Sequence, residues 1–179
     1  MIKLPYDFSM DKYGIHVRLV NESDAEFIVK LRTDPNLSKY IHSTDSDIQK
    51  QIQWIKEYKE RENKGLDYYF IYLHDKTPIG VNRIYDIQDT YATTGSWICE
   101  KNLPVDFVIY TVIILREILF DVLEKKEDRF DVRKDNKKVI RMHKLFGSTL
   151  VNKDDIDCFG VLTKYDFSAN KCKMLNYIK

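Results

Sequence analysis

Apolar residues recur along this chain with two periods, and the switches between them mark its elements. Ile15 to Val20 alternates as a strand does, after an irregular lead-in from Met1 to Gly14. Ser23-Asp-Ala-Glu26 reads as a capping box, and Phe27, Ile28 and Leu31 give the helix behind it an apolar face that ends before Pro35. Ser46-Asp-Ile-Gln49 offers a second capping box, followed by a stripe of Ile48, Ile52, Ile55 and Tyr58 on a helix reaching Asn63. The period then shortens. Tyr68 to His74 and Ile79 to Ile87 read as a hairpin about the turn Asp75–Pro78, and Tyr91 to Cys99 as another strand. Gly95 interrupts that strand, as a bulge or a close backbone approach would.

Pro104 suits the first position of a helix. From Val105 to Leu123 that helix is apolar on most sides, which predicts a buried crossover packed on the sheet. A short strand follows, with Phe130 and Val132 on one face and Arg129, Asp131 and Arg133 on the other. It breaks at Asp135-Asn136, residues that cap helices. Val139, Ile140, Met142, Leu145 and Phe146 then recur at helical spacing, and Gly147 closes the helix as a C′ glycine. Ser148–Asn152 and Asp157–Thr163 form a closing hairpin, and the basic tail after Phe167 reads as short and poorly ordered. A hairpin followed by strands alternating with helices is a mixed α/β layout, α+β in some schemes. One domain over 1–179 is expected, with its core over about 15–165 and a tail over 166–179.

Composition narrows the partners. The formal net charge is +1 with 32% charged residues, so no global bias toward nucleic acid or an anionic membrane exists. Any phosphate-bearing ligand must be held by a local cluster. Cys99, Cys158 and Cys172 are odd in number and lack metal spacing, which favours free thiols in a reducing, cytoplasmic compartment and no metal. The apolar run from Val105 contains Asp106 and meets Arg116 and Glu117, so it is too short to span a bilayer.

The strand-to-helix stretch Phe130–Gly147 resembles a unit of the GNAT N-acetyltransferases, with Asn136, the pair Val139-Ile140, His143 and Gly147 in the places of the family pattern. Arg18–Ala25 resembles the family's opening strand and first helix. Gly95-Ser-Trp-Ile98 resembles the central strand of the branch holding ribosomal-protein and amino-sugar acetyltransferases. The resemblance implies a mostly antiparallel sheet splayed in the middle, flanked by about four helices, with acetyl-CoA as cosubstrate in the gap. It implies transfer to the primary amine of a small soluble acceptor, such as an amino sugar or nucleotide-linked amino sugar. A protein N-terminus as acceptor, or a non-catalytic binding module, are the competing readings, and a homodimer fits any of them.

In the family a strand amide beside the bulge polarises the thioester carbonyl, and a helix tyrosine protonates the departing sulfur. Here His143 stands at the tyrosine position, and an imidazole would bring a pKa nearer the operating pH. The plain alternative is half-buried packing. Glu100 is the candidate base, with Asp86 and Asp67 behind it; each also suits a surface or turn carboxylate. Trp97, Ile98, Cys99, Pro104, Val105, Arg133, Asn136 and Lys137 are the expected cofactor contacts, and His42, Tyr85 and Gly95 the expected acceptor contacts. Asn136 equally suits a simple helix cap, and Cys99 a buried strand thiol. One departure stands out: the junction Glu100–Phe107 has no glycine where the family usually closes backbone amides on the pyrophosphate.

Overall fold

A computed structural model describes residues 2–178. Its strands are β1 (Ser9–Lys12), β2 (Ile15–Leu19), β3 (Asp67–His74), β4 (Thr77–Tyr85), β5 (Tyr91–Cys99), β6 (Glu127–Arg133), β7 (Thr149–Asn152) and β8 (Asp157–Thr163). Its helices are α1 (Ala25–Thr33), α2 (Ile48–Asn63), α3 (Val105–Glu117), α4 (Lys137–Leu145) and α5 (Lys164–Tyr177). The strands make one sheet in the order β1-β2-β3-β4-β5-β6-β8-β7. Every neighbouring pair is antiparallel except β5 with β6.

Alternation along β3 explains the layering. Tyr68, Phe70 and Tyr72 join the core under α3, α4 and α5, whereas Tyr69 and Ile71 join the core under α1 and α2. A strand covered on both faces carries apolar residues at every position, which is why this stretch reads as continuously hydrophobic. The crossover α3 is buried as expected, and it continues through a π-helical turn, Ile118–Val122, before β6.

Parting of the middle strands is what positions a site. β5 and β6 pair only through Tyr91–Thr93 and Glu127–Arg129. Beyond Thr93 they diverge, so the main-chain groups along that edge of β5 have no strand partner. The expected splay is present.

Several local expectations are corrected. The lead-in holds β1, paired to β2 from Ser9 to Lys12. The first capping box is Asn21 with Asp24 rather than Ser23 with Glu26, because Asp24 also accepts both guanidinium nitrogens of Arg18. Asp47, not Ser46, caps α2. Ile48 and Leu145 lie exposed at the ends of their stripes. The tail is α5, capped by Thr163, whose hydroxyl accepts from Asp166 N–H, and pinned by buried Phe167 and Met174. Its apolar positions are too sparse to show a stripe, but Thr163-Lys-Tyr-Asp166 is a legible capping signal. Helix α4 ends as expected: Gly147 has φ +93°, its N–H donates to Lys144 O and that of Ser148 to His143 O, a Schellman closure.

Candidate active site

Where β5 and β6 part, a cleft of about 610 Å³ opens, lined by β5 from Thr94 to Glu100, the inner face of α3, Phe130–Arg133 of β6 and Asn136, Val139, Met142 and His143 of α4. A second compartment of about 400 Å³ lies between the α1–α2 loop, α2 and β4, walled by Trp54, Tyr69, Arg83 and Lys50. Arg32, His42 and Ser96 line both, so the two meet at the middle of β5. Each volume falls in the range of small-molecule sites.

The meeting point is a bulge. Val81 pairs with Ile98 and Arg83 with Gly95, so Asn82 faces both Ser96 and Trp97. Ser96 has φ +54°, a conformation that side chains other than glycine's rarely adopt and that recurs at functional sites. Gly95 next to it is packed by the Tyr85 ring: a Cβ there would stand 3.1 Å from Tyr85 Oη. The bulge and the close approach expected at Gly95 therefore both occur, one residue apart.

Beneath the bulge lies a buried polar chain. Thr94 Oγ1 donates to Asp128 Oδ1 at 2.7 Å, Arg116 Nε donates to Asp128 Oδ2 at 3.0 Å, and Arg116 Nη2 stands 2.8 Å from His143 Nδ1. The His143 ring stacks on Phe130 with centroids 3.8 Å apart. Burial raises the Asp128 carboxyl above its usual range, against the pull of Arg116 and Thr94. Burial, and then the Arg116 charge, push His143 well below the ordinary imidazole value. An imidazole titrating near the operating pH, as expected for His143, is thus corrected: this one is neutral.

The other expected residues divide. Trp97, Ile98, Cys99, Arg133, Asn136, His42, Tyr85, Gly95 and Glu100 line the cleft. Lys137 is exposed at the start of α4, outside the lining, and Val105 is 70% exposed beyond the cleft wall, with Pro104 as the residue preceding α3. Helix α3 first touches the cleft at Val108. Asn136 Oδ1 accepts from Val139 N–H at 3.4 Å, while its Nδ2 has no partner among the described residues. The Cys99 thiol is pushed up to about 11 by burial, so it is a packed strand thiol and not a nucleophile. Trp97 Nε1 donates to Thr111 Oγ1 at 3.1 Å, which fixes its ring against α3.

Every carboxylate that lines either compartment is held in an ion pair: Glu100 with Lys30, Asp131 with Lys153, Asp157 with Arg133, and Asp45 with Lys50. Asp67 is buried between Arg83 and Arg61, and Asp86 is exposed in a left-handed turn. Glu100 is therefore tied down as a base, and Asp67 and Asp86 are away from the cleft lining. Residues that sequence reasoning missed include Arg32, Trp54, Arg83 and the Thr94–Asp128–Arg116 chain. One signal was available: Arg116 interrupts the apolar stretch of α3, and a charge there must find a partner.

In the glycine-free junction, Asn102 takes φ +63°, the left-handed geometry that a glycine would supply and that asparagine tolerates. Lys101 pairs with Asp34 at 2.5 Å, tying the junction to the end of α1. The first amides of α3, before Val108 N–H bonds to Pro104 O, have no intrahelical partner. Among the described residues no cluster of potential metal ligands is found, and no helix is long and apolar enough to cross a membrane.

A mixed sheet parted beside a bulge, with a cleft running into the parting, defines an acetyltransferase fold. The profile of the acetyltransferase (GNAT) domain matches residues 15–149, and the chain belongs to this family of N-acetyltransferases. A solved structure described as apo FdhC, a nucleotide-linked sugar GNAT, is 32% identical, with 97% of this chain and 99% of that chain covered and a TM-score of 0.85. The ribosomal-protein-S5-alanine acetyltransferase of Vibrio fischeri is 16% identical over 87% of this chain and 95% of its own, TM-score 0.72. The Campylobacter jejuni N-acetyltransferase PseH is 19% identical over 84% and 99%, TM-score 0.65. At the two lower identities the likeness is one of fold. No curated protein sequence matches significantly.

Proposed function

We propose that the protein transfers an acetyl group from acetyl-CoA to the primary amine of an amino sugar carried on a nucleotide. The observation that carries this reading is the junction of the two compartments at the Ser96 bulge, where a donor lying along β5 and an acceptor beside Trp54 would meet. The overall likeness to a nucleotide-linked sugar GNAT supports the acceptor class. The acceptor compartment holds Trp54 and Tyr69 as apolar walls and Arg32 and Arg83 as donors, a mixture suited to a sugar ring with an anionic attachment.

Bound acetyl-CoA supplies an activated thioester to an amine. The unpaired edge of β5 and the free Nδ2 of Asn136 are donors of the kind its amide-bearing arm would take. Arg133, which lines the cleft beside its partner Asp157, would offer the pyrophosphate a positive charge without a glycine cradle. A main-chain N–H at the bulge would carry developing negative charge on the carbonyl oxygen. His42 borders both compartments and its ring makes no hydrogen bond among the described residues, so it is the group we assign to relay the amine's proton.

Calorimetric titration with acetyl-CoA, followed by assay of nucleotide-linked amino sugars, free amino sugars and N-terminal peptides, tests the reading. Heat on binding, with turnover confined to the linked sugars, supports it. No heat and no rise in melting temperature would defeat it, and turnover of peptides alone would move the acceptor to a protein N-terminus.

A further inference from the structure

We propose that Arg116 is a positioning residue that locks His143 into a single tautomer, leaving the imidazole Nε2–H as a fixed, uncharged donor at the floor of the cleft. The inference rests on the acetyl-transfer reading for its role, though its geometry stands apart from it. A guanidinium has only donors, so the 2.8 Å contact between Arg116 Nη2 and His143 Nδ1 requires Nδ1 to accept. A neutral ring must then carry its proton on Nε2. That nitrogen has no partner among the described residues and is not sealed off, and His143 lines the cleft.

The lock is itself anchored. Asp128, fully buried, takes Arg116 Nε on one oxygen and Thr94 Oγ1 on the other. Thr94 is the residue just beyond the last β5–β6 pair, so the chain of contacts runs from the point of parting to α4. Phe130 from β6 stacks on the imidazole and fixes its plane. The charged groups reaching His143 are Arg116 from α3 and, through it, Asp128 from β6. Burial first, and then a positive neighbour that cannot lose its proton, keep the ring from becoming imidazolium. At the place where the family commonly has a hydroxyl donor, this chain thus holds a donor whose charge does not change with pH. It would stabilise the thiolate released on transfer by hydrogen bonding rather than by titrating as an acid.

Nitrogen-15 spectra of histidine-labelled protein test this directly. The chain has 4 histidines, and the His143→Gln spectrum assigns the signal in question. Between about pH 5.5 and 8.5, across the ordinary imidazole range, His143 is expected to keep a protonated Nε2 and a bare Nδ1. Titration within that range, or a proton on Nδ1, overturns the proposal. In activity, His143→Phe keeps a ring for the stack and is expected to lower kcat by about 100-fold with little change in donor KM; an unchanged kcat overturns it. The paired variant Arg116→Met with Asp128→Asn removes both charges and the donor to Nδ1, and Arg116→Leu with Asp128→Asn serves where that pair does not fold. In either, Nδ1 loses the donor that bars it from carrying the proton, so the nitrogen-15 spectrum is expected to show the His143 proton divided between Nδ1 and Nε2, with kcat falling more than donor KM rises. A spectrum still showing the proton on Nε2 alone would show Arg116 acting on stability alone and overturn the proposal. Absence of acetyl-CoA binding sinks the transfer reading and leaves the spectra unaffected; a wrong tautomer sinks the lock and leaves the transfer reading intact.

Discussion

The Tyr85 ring lies over Gly95, so close that a Cβ at position 95 would meet Tyr85 Oη at 3.1 Å and Cε1 at 3.2 Å. These residues stand on neighbouring strands, β4 and β5, at the edge of the bulge. Tyr85 also borders the guanidinium of Arg83, 5.1 Å from its ring centroid. The ring's position is therefore set by the absence of a side chain below it. Gly95→Ala is expected to displace Tyr85 into the cleft, raise the KM for acetyl-CoA and lower stability by about 1 kcal/mol. Steady-state kinetics beside a denaturant melt would read both; an unchanged KM would refute the claim that this contact shapes the cleft.

Asn136 combines two tasks that substitution can separate. Its Oδ1 caps α4 and its Nδ2 faces the cleft wall unpaired. Asn136→Asp keeps a capping oxygen and is expected to hold stability while weakening acetyl-CoA binding. Asn136→Ala removes both, with a further loss of about 1 kcal/mol. Calorimetry and thermal melts on the pair distinguish the roles, and equal binding by the Asp variant would leave only the cap.

The buried pair Arg116–Asp128 is expected to make Asp128→Ala costly, about 3–5 kcal/mol, because the guanidinium would be left charged and unpaired in the core. Urea unfolding measures this. A loss under about 1 kcal/mol would mean that water reaches the pair.

His143 gives stability a pH dependence of known sign. Its folded value is depressed below the ordinary imidazole value, so the unfolded chain binds the proton more readily. Its contribution is full above the unfolded value near pH ~6.5 and is lost as pH falls below it, with a slope of up to about 1.4 kcal/mol per pH unit. Compared with His143→Gln, the unaltered protein should weaken more steeply from pH 7 to 5. Parallel curves would contradict the buried, neutral assignment.

Helix α5 is expected to be indispensable. Phe167 contacts the Phe120 and Phe146 rings, with centroids 5.4 and 5.9 Å away. Phe167→Ala should cost about 3–5 kcal/mol, and deletion of the chain after Thr163 should prevent folding. A truncated protein that melts cooperatively at the same temperature would show the helix to be an appendage.

Much of the architecture was legible because it rests on local chemistry. The capped, glycine-closed α4 reads from Asn136 to Gly147, and the hairpin of β3 and β4 reads from its alternation and turn. Gly95 signalled the close approach of the Tyr85 ring, which a Cβ would crowd at 3.1 Å, and the bulge follows one residue on at Ser96. Helix α5 was hidden because two buried residues, Phe167 and Met174, hold it without a continuous stripe.

By itself the sequence determined the order of the elements from β2 to β8 and the residues that border the cleft on β5 and α4. These follow from periodicity, capping and the short-range demands of backbone geometry. Only the tertiary structure decided which charges meet. Arg116 and Asp128 lie on α3 and β6, and His143 on α4, so the distance along the chain says nothing of their contact. Burial and mutual approach turned His143 from a candidate titrating acid into a neutral donor, because ionisation depends on what surrounds a group in space.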